Sequence, residues 1–247
     1  MNELLNGELA PLTYTIGFVE RPMLEVVALV KRANLALKSR DWVSGWLDTL
    51  FIRSEEQRLP LRQALLALQP LCVSGSSRFL VLETESRWTA CFENSAAGTG
   101  MIGVMPLYAQ ELQCRTIAVE WCPFSADSEN DNADCAPKGV QFGLFHGRPD
   151  STFMSNSVRV LSLVFEDGWE FDSHGIALPC ENLTHYDARL VRDKFTPELL
   201  NKYALYFGLR PFDEDFYRDR SVLLFRNQLI GSPAGLSLEE AQRRLRG

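Results

Sequence analysis

Gly98-Thr99-Gly100-Met101-Ile102-Gly103 has the spacing of a dinucleotide-binding loop. In such a loop the glycines allow a tight turn and a close backbone approach to pyrophosphate, whose charge meets a helix N-terminus. Glu120 lies near the end of the following strand, about where a ribose-binding acid belongs. Three details oppose this chemistry. Glu93–Ala97 separate the preceding strand from the first glycine. Pro106 falls inside the helix that the glycines should open, and marks instead the start of a short helix over 107–112. The downstream chain lacks βαβ alternation. A nucleotide or phosphorylated ligand held by Gly98, Gly100, Gly103 and Glu120 therefore stands as the alternative, and a flexible loop crossing a sheet edge as the expectation. No cofactor is expected.

A second grouping mixes acids with aromatics. Arg210–Tyr217 carries Asp213, Glu214 and Asp215 among Phe212, Phe216 and Tyr217. Acids steer a basic partner and aromatics anchor it, so Asp213, Glu214, Asp215 and Tyr217 are the expected partner-binding residues. The competing reading packs the aromatics inward and leaves the acids in water. Ser125–Pro137 supplies a second acidic patch through Asp127, Glu129, Asp131 and Asp134. A calcium loop starting at Asp127 would need glycine at its sixth position and glutamate at its twelfth, but Asn132 and Lys138 stand there. His146, His174 and His185 show no zinc spacing, so no metal is expected. His174 reaches His146 only if their strands are neighbours, with Asp172 or Cys180 as further members. Glu93, Asp172 and Glu181 fall at strand ends, where carboxylates can do acid–base work. No nucleophile elbow or P-loop is present.

The elements that must position these residues follow from periodicity. Tyr14–Val19 reads as a short strand and Met23–Leu37 as a helix with Val26, Val27, Leu29, Val30 and Ala33 on one face. Trp42, Trp46, Leu47 and Leu50 predict a second helix. Ser54 with Gln57 resembles a capping box for a third, but Pro60 inside it moves the expected start to Leu59, and Pro70 ends it. Ser74–Ser77 reads as a flexible joint. Beyond it the period changes to two: Phe79–Leu82 and Trp88–Glu93 form a hairpin with one buried face, and Arg115–Cys122 and Val140–Phe145 are strands. Val158–Phe165 and Trp169–Ser173 form a hairpin whose Asp167-Gly168 turn supplies positive φ. Thr196 caps a helix that starts at Pro197 and stops at Gly208. Ser221–Phe225 is a strand, and Ser237 with Glu240 caps a C-terminal helix. The expected fold is α+β: a mixed, mainly antiparallel sheet of about six strands, a helical N-terminal third, and helices to one side. It is one domain over 1–247, mainly helical over 1–75 and sheet-containing over 76–247.

Composition sets outer bounds. The 247 residues, 46% hydrophobic and 23% charged, suffice for a core without disulfides. The net charge of −7 disfavours nucleic acid and anionic membrane as partners and fits simple solubility first, a basic protein partner second. No secretory signal or membrane span is visible. The six cysteines include no C-x-x-C pair and read as reduced thiols of a cytoplasmic protein.

At Trp88–Asn94 with Gly98-Thr99, and from Arg189 to Tyr217, the chain resembles a family of uncharacterised bacterial proteins. The shared features are an aromatic strand, a small-residue loop, a VRDKFTPELL-like helix and an RPFDEDFY-like end. Small acidic bacterial proteins of this kind are often immunity proteins paired with secreted toxins. The resemblance thus implies a non-enzymatic protein that occludes the active site of a basic toxin domain. A non-catalytic structural or adaptor subunit is a further alternative, and the oligomeric state is not legible.

Overall fold

The computed structural model describes residues 3–36, 52–73, 75–98, 100–123, 138–150, 155–226 and 235–246. Its organising strand is Thr15–Val19 (β1), five residues buried along their whole length. The remaining strands are Ile52–Arg58 (β2), Arg78–Thr84 (β3), Thr89–Glu93 (β4), Arg115–Cys122 (β5), Lys138–His146 (β6), Ser157–Phe165 (β7), Trp169–Gly175 (β8) and Tyr217–Arg226 (β9). They form one sheet in the order β2-β9-β3-β4-β1-β5-β6-β7-β8, and every neighbouring pair is antiparallel. Among the described residues the sheet therefore has nine strands rather than about six.

Helices cover both faces, not one side. Met23–Ala36 (α1) and Gly100–Leu112 (α3) share a core with Val81, Cys91, Ala118 and Val222 on one face. Leu61–Leu66 (α2), Pro197–Tyr206 (α4) and Leu238–Arg246 (α5) cover Leu80, Leu82, Ala90, Phe92 and Val119 on the other. The reason is visible in β3 and β4. Leu80 and Leu82 point one way and Val81 the other, and each is buried. A continuous apolar run needs cover on both sides. The hairpin expected to bury one face thus buries two.

The helical N-terminal third is also corrected. β1 and β2 both lie within it and belong to the common sheet. Ser54–Gln57 is strand, paired with Ser221–Leu224 of β9, and not a helix cap. α2 begins at Leu61 after Pro60. The predicted helix at Trp42–Leu50 lies outside the described residues. Ser77, expected in a flexible joint, is fixed by Asn94. That buried amide accepts from the Ser77 and Arg78 backbone N–H groups at 2.9 Å and donates to the Pro70 carbonyl at 2.7 Å. Asn94→Ala removes the partner of three partly buried backbone groups and is expected to cost about 1–3 kcal/mol in urea denaturation.

The helix beyond the glycine loop starts at Gly100, six residues before Pro106, rather than at the proline. Pro106 removes one intrahelical bond, a loss of about 3 kcal/mol in an exposed helix. Burial of Met101, Met105, Tyr108 and Ala109 against the sheet offsets it. The β7–β8 hairpin forms as read, but its connection is Glu166–Gly168, with Phe165 opposite Trp169. Neither Asp167 nor Gly168 takes positive φ. Thr196 and Gly208 bound α4 as expected: Thr196 accepts from the Leu199 amide and Gly208 has φ of 75°. Ser237 and Glu240 cap α5 reciprocally.

Candidate functional site

A cleft of about 400 Å³ opens where the N-terminal turn, α4 and the Arg210–Glu214 segment meet. Leu5 and Asn6 form one wall, with φ of 53° and 54°. The left-handed conformation costs a leucine about 1–2 kcal/mol. It is held because Leu4 and Leu5 are buried in the core. The opposite wall is Asn201 and Leu205 of α4. This helix turns Leu199, Leu200, Tyr203 and Ala204 inward, yet leaves Leu205 48% and Tyr206 53% exposed.

The lip is Arg210–Asp215. Arg210 pairs with Asp213 at 2.5 Å and lies over the Phe216 ring, 5.4 Å from its centre. Asp213 also accepts from the Asp215 amide at 3.1 Å, capping the turn Glu214–Phe216. This geometry splays Glu214 and Asp215 into solvent while Phe216 and Tyr217 enter the core. Of the three carboxylates at the lip, only Asp213 is paired with Arg210. Tyr217 is a correction to the predicted binding set. It is 7% exposed, and its hydroxyl donates to the Pro211 carbonyl at 2.7 Å. Tyr217 opens β9 on its inward phase, so it anchors the sheet and presents no free surface. Asp127, Glu129, Asp131 and Asp134 lie outside the described residues.

The glycine loop has a different character. β4, α3 and β5 run strand–helix–strand, but β1 lies between the two strands. Gly98 has φ of 71°, and a β-carbon there would stand 2.9 Å from the Pro11 carbonyl oxygen. A β-carbon on Gly100 would fall on the Glu93 carboxylate. These two glycines accommodate the chain's own atoms. Glu93 is buried at the start of α3 and accepts from the Ser76 hydroxyl at 2.5 Å. Burial raises its pKa, opposed by Ser76 and the Gly100 amide. The place where a phosphate would meet the helix N-terminus thus holds a carboxyl group. Gly103 faces open space. Glu120 is fully buried, with one carboxyl oxygen 3.0 Å from the Thr15 hydroxyl and the other accepting from Gln141 at 3.1 Å. Burial pushes it up to about 7 against those two hydrogen bonds.

The sequence marks Glu181 as an acid–base candidate but not its partner Arg159, and the two form a buried ion pair. Arg159 and Glu181 form a two-pronged pair at 2.8 and 2.6 Å, and both side chains are buried. Arg159 also donates to the His174 and Gly175 carbonyls, and Glu181 accepts from the Leu178 amide and the Tyr186 hydroxyl. Burial works against the Glu181 charge, but Arg159, Leu178 and Tyr186 outweigh it and hold its pKa low. The signal was present: Arg159 shares the inward phase of Leu161 and Leu163. The histidines do not converge. β7 separates His146 on β6 from His174 on β8, and His174, His185 and Asp172 are exposed. Among the described residues no three His, Cys, Asp or Glu side chains form a set that could hold a metal ion. Cys72, Cys91, Cys114, Cys122 and Cys180 are free thiols. Among the described residues no helix is long and apolar enough to cross a membrane. Compared with protein-family models, curated proteins and solved structures, the chain matches none.

Proposed function

We propose that the protein is a cytoplasmic binding protein, an immunity protein whose acidic lip receives a basic surface of a toxin domain and covers its active site. The observation that carries this reading is the cleft itself, which Asp213 and Glu214 line together with the exposed Leu205. Charge gives orientation and on-rate, and buried apolar area gives residence time. The net charge of −7 supports a basic partner. The glycine-loop alternative has less support, because Glu93 occupies the helix start and Glu120 lies close by.

Native mass spectrometry of the protein isolated from its source cells is expected to show a stoichiometric complex with a basic protein. Glu214→Lys with Asp215→Lys is expected to weaken that complex at least about tenfold, read by titration calorimetry. Asp213 is left in place because it pairs with Arg210 and caps a turn. Unchanged affinity in the double variant removes this surface from the interface. A partner of acidic surface contradicts the reading.

A further inference from the structure

We propose that the glycine-rich connection between β4 and α3 is fastened to the sheet by a proton-dependent latch, in which the Glu120 carboxyl donates to Thr15 and Thr15 donates to the Gly98 carbonyl. The argument is a count of protons. The Thr15 hydroxyl oxygen contacts both the Gly98 carbonyl oxygen and Oε2 of Glu120. A hydroxyl carries one proton, and a carbonyl oxygen can only accept. The Thr15 proton therefore belongs to Gly98. The 3.0 Å contact to Glu120 is a hydrogen bond only if the carboxyl supplies the proton. The other oxygen, Oε1, already accepts from Gln141. A neutral Glu120 satisfies every contact. An ionised Glu120 competes with Gly98 for a single proton, and one buried acceptor is left without a donor.

The surroundings do not relieve that conflict. β1 offers Thr15 and β6 offers Gln141, both neutral. Among the described residues the titratable groups buried on this face are Glu93 and Cys91 of β4, Tyr108 of α3, Cys114 just before β5 and Cys122 of β5, none of them a cation. The β1–β4 register pairs Gly17 with Cys91, and one pleat further brings Glu93 alongside Thr15. Two buried carboxyl groups thus flank one threonine. Burial pushes Glu120 up to about 7, which sets the latch to open across neutral pH. On opening, Gly98 loses its tie to β1 and the start of α3 is uncovered.

Amide hydrogen exchange followed by NMR from pH 5.5 to 8.5, corrected for the intrinsic pH dependence of exchange, tests this. Protection at Gly98, Gly100 and Met101 is expected to fall at least about tenfold across the range in the wild type. The core amides of Ile117 and Phe142 serve as the reference and are expected to stay constant. Glu120→Gln, whose amide can donate to Thr15 at any pH, is expected to keep the loop protected throughout. Thr15→Val is expected to lose protection at every pH, and Glu93→Gln to keep the wild-type transition. Flat wild-type protection overturns the latch. So does a transition that survives in Glu120→Gln, or one that the core amides share.

Discussion

Arg159→Met is expected to cost about 3–5 kcal/mol of folding stability. Methionine fills much of the arginine's volume, so the loss is chiefly electrostatic. Glu181 is left as a buried carboxylate with the Leu178 amide and the Tyr186 hydroxyl but no cation. The His174 and Gly175 carbonyls lose their donors too. Glu181→Gln should cost less, because it removes the charge while keeping an acceptor for Leu178. The diagnostic variant is Arg159→Met with Glu181→Met. Replacing both charges with apolar groups of similar size is often tolerated, so the double variant should be more stable than Arg159→Met alone. Urea denaturation with a common m-value measures all three. A double variant less stable than Arg159→Met alone would show that the pair is not coupled. The pair ties the segment after β8 to the interior of β7. Weakening it should therefore loosen the β8 edge of the sheet first.

The second large effect is a pH dependence of stability set by Glu120. Its folded pKa is raised from 4.5 to about 7, with burial as the cause. Below about pH 4.5 the folded and unfolded chains both carry this proton. Between there and about pH 7 only the folded chain keeps it, so stability declines as pH rises. Above that both have released it and the decline ends. The gap between the two values corresponds to about 3 kcal/mol. Glu93, also raised by burial, acts in the same direction. Glu20 and Glu181 are lowered by their arginine partners, in spite of burial, and act oppositely. The clean measurement is thus the difference between Glu120→Gln and wild type. From pH 4.5 to 8 that difference should move in the variant's favour by about 3 kcal/mol in urea melts. Parallel curves would show that Glu120 titrates normally.

What could be read from the sequence was what local chemistry decides. Thr196, Pro197 and Gly208 bound α4 because caps and turns are made by adjacent residues. Ser237 with Glu240 worked for the same reason, whereas Ser54 with Gln57 had the same pattern and failed. That stretch pairs with β9, far along the chain, and tertiary pairing overrode a local preference. β1 was legible as a strand but not as the centre of the sheet, because its neighbours come from distant segments. The placement of helices on both faces was hidden by apolar runs such as Phe79–Leu82, which have no polar phase. At the proposed site, Asp213, Glu214 and Asp215 were legible as exposed acids. Tyr217 was misplaced because its direction depends on where β9 begins. Leu5 was not legible at all, since only packing makes a leucine adopt positive φ. Thr15 escaped notice because its role depends on two acceptors from other parts of the chain.

The order of strands has a consequence for synthesis. β9 lies between β2 and β3, although Arg220 of β9 meets Glu56, 164 positions earlier. Translation at about 5–20 residues per second separates the emergence of β2 from that of its partner by on the order of ten seconds or more. Throughout that interval the nascent chain presents β2, rich in charge and unmatched, and β3, rich in Leu and Val, paired with β4 on one side and open on the other. The charge on β2 keeps it soluble while it waits, whereas β3 offers an adhesive edge. Chaperone demand and translational pausing should therefore centre on β3, and a stop codon before Tyr217 would leave a ribosome product with a slot it cannot fill.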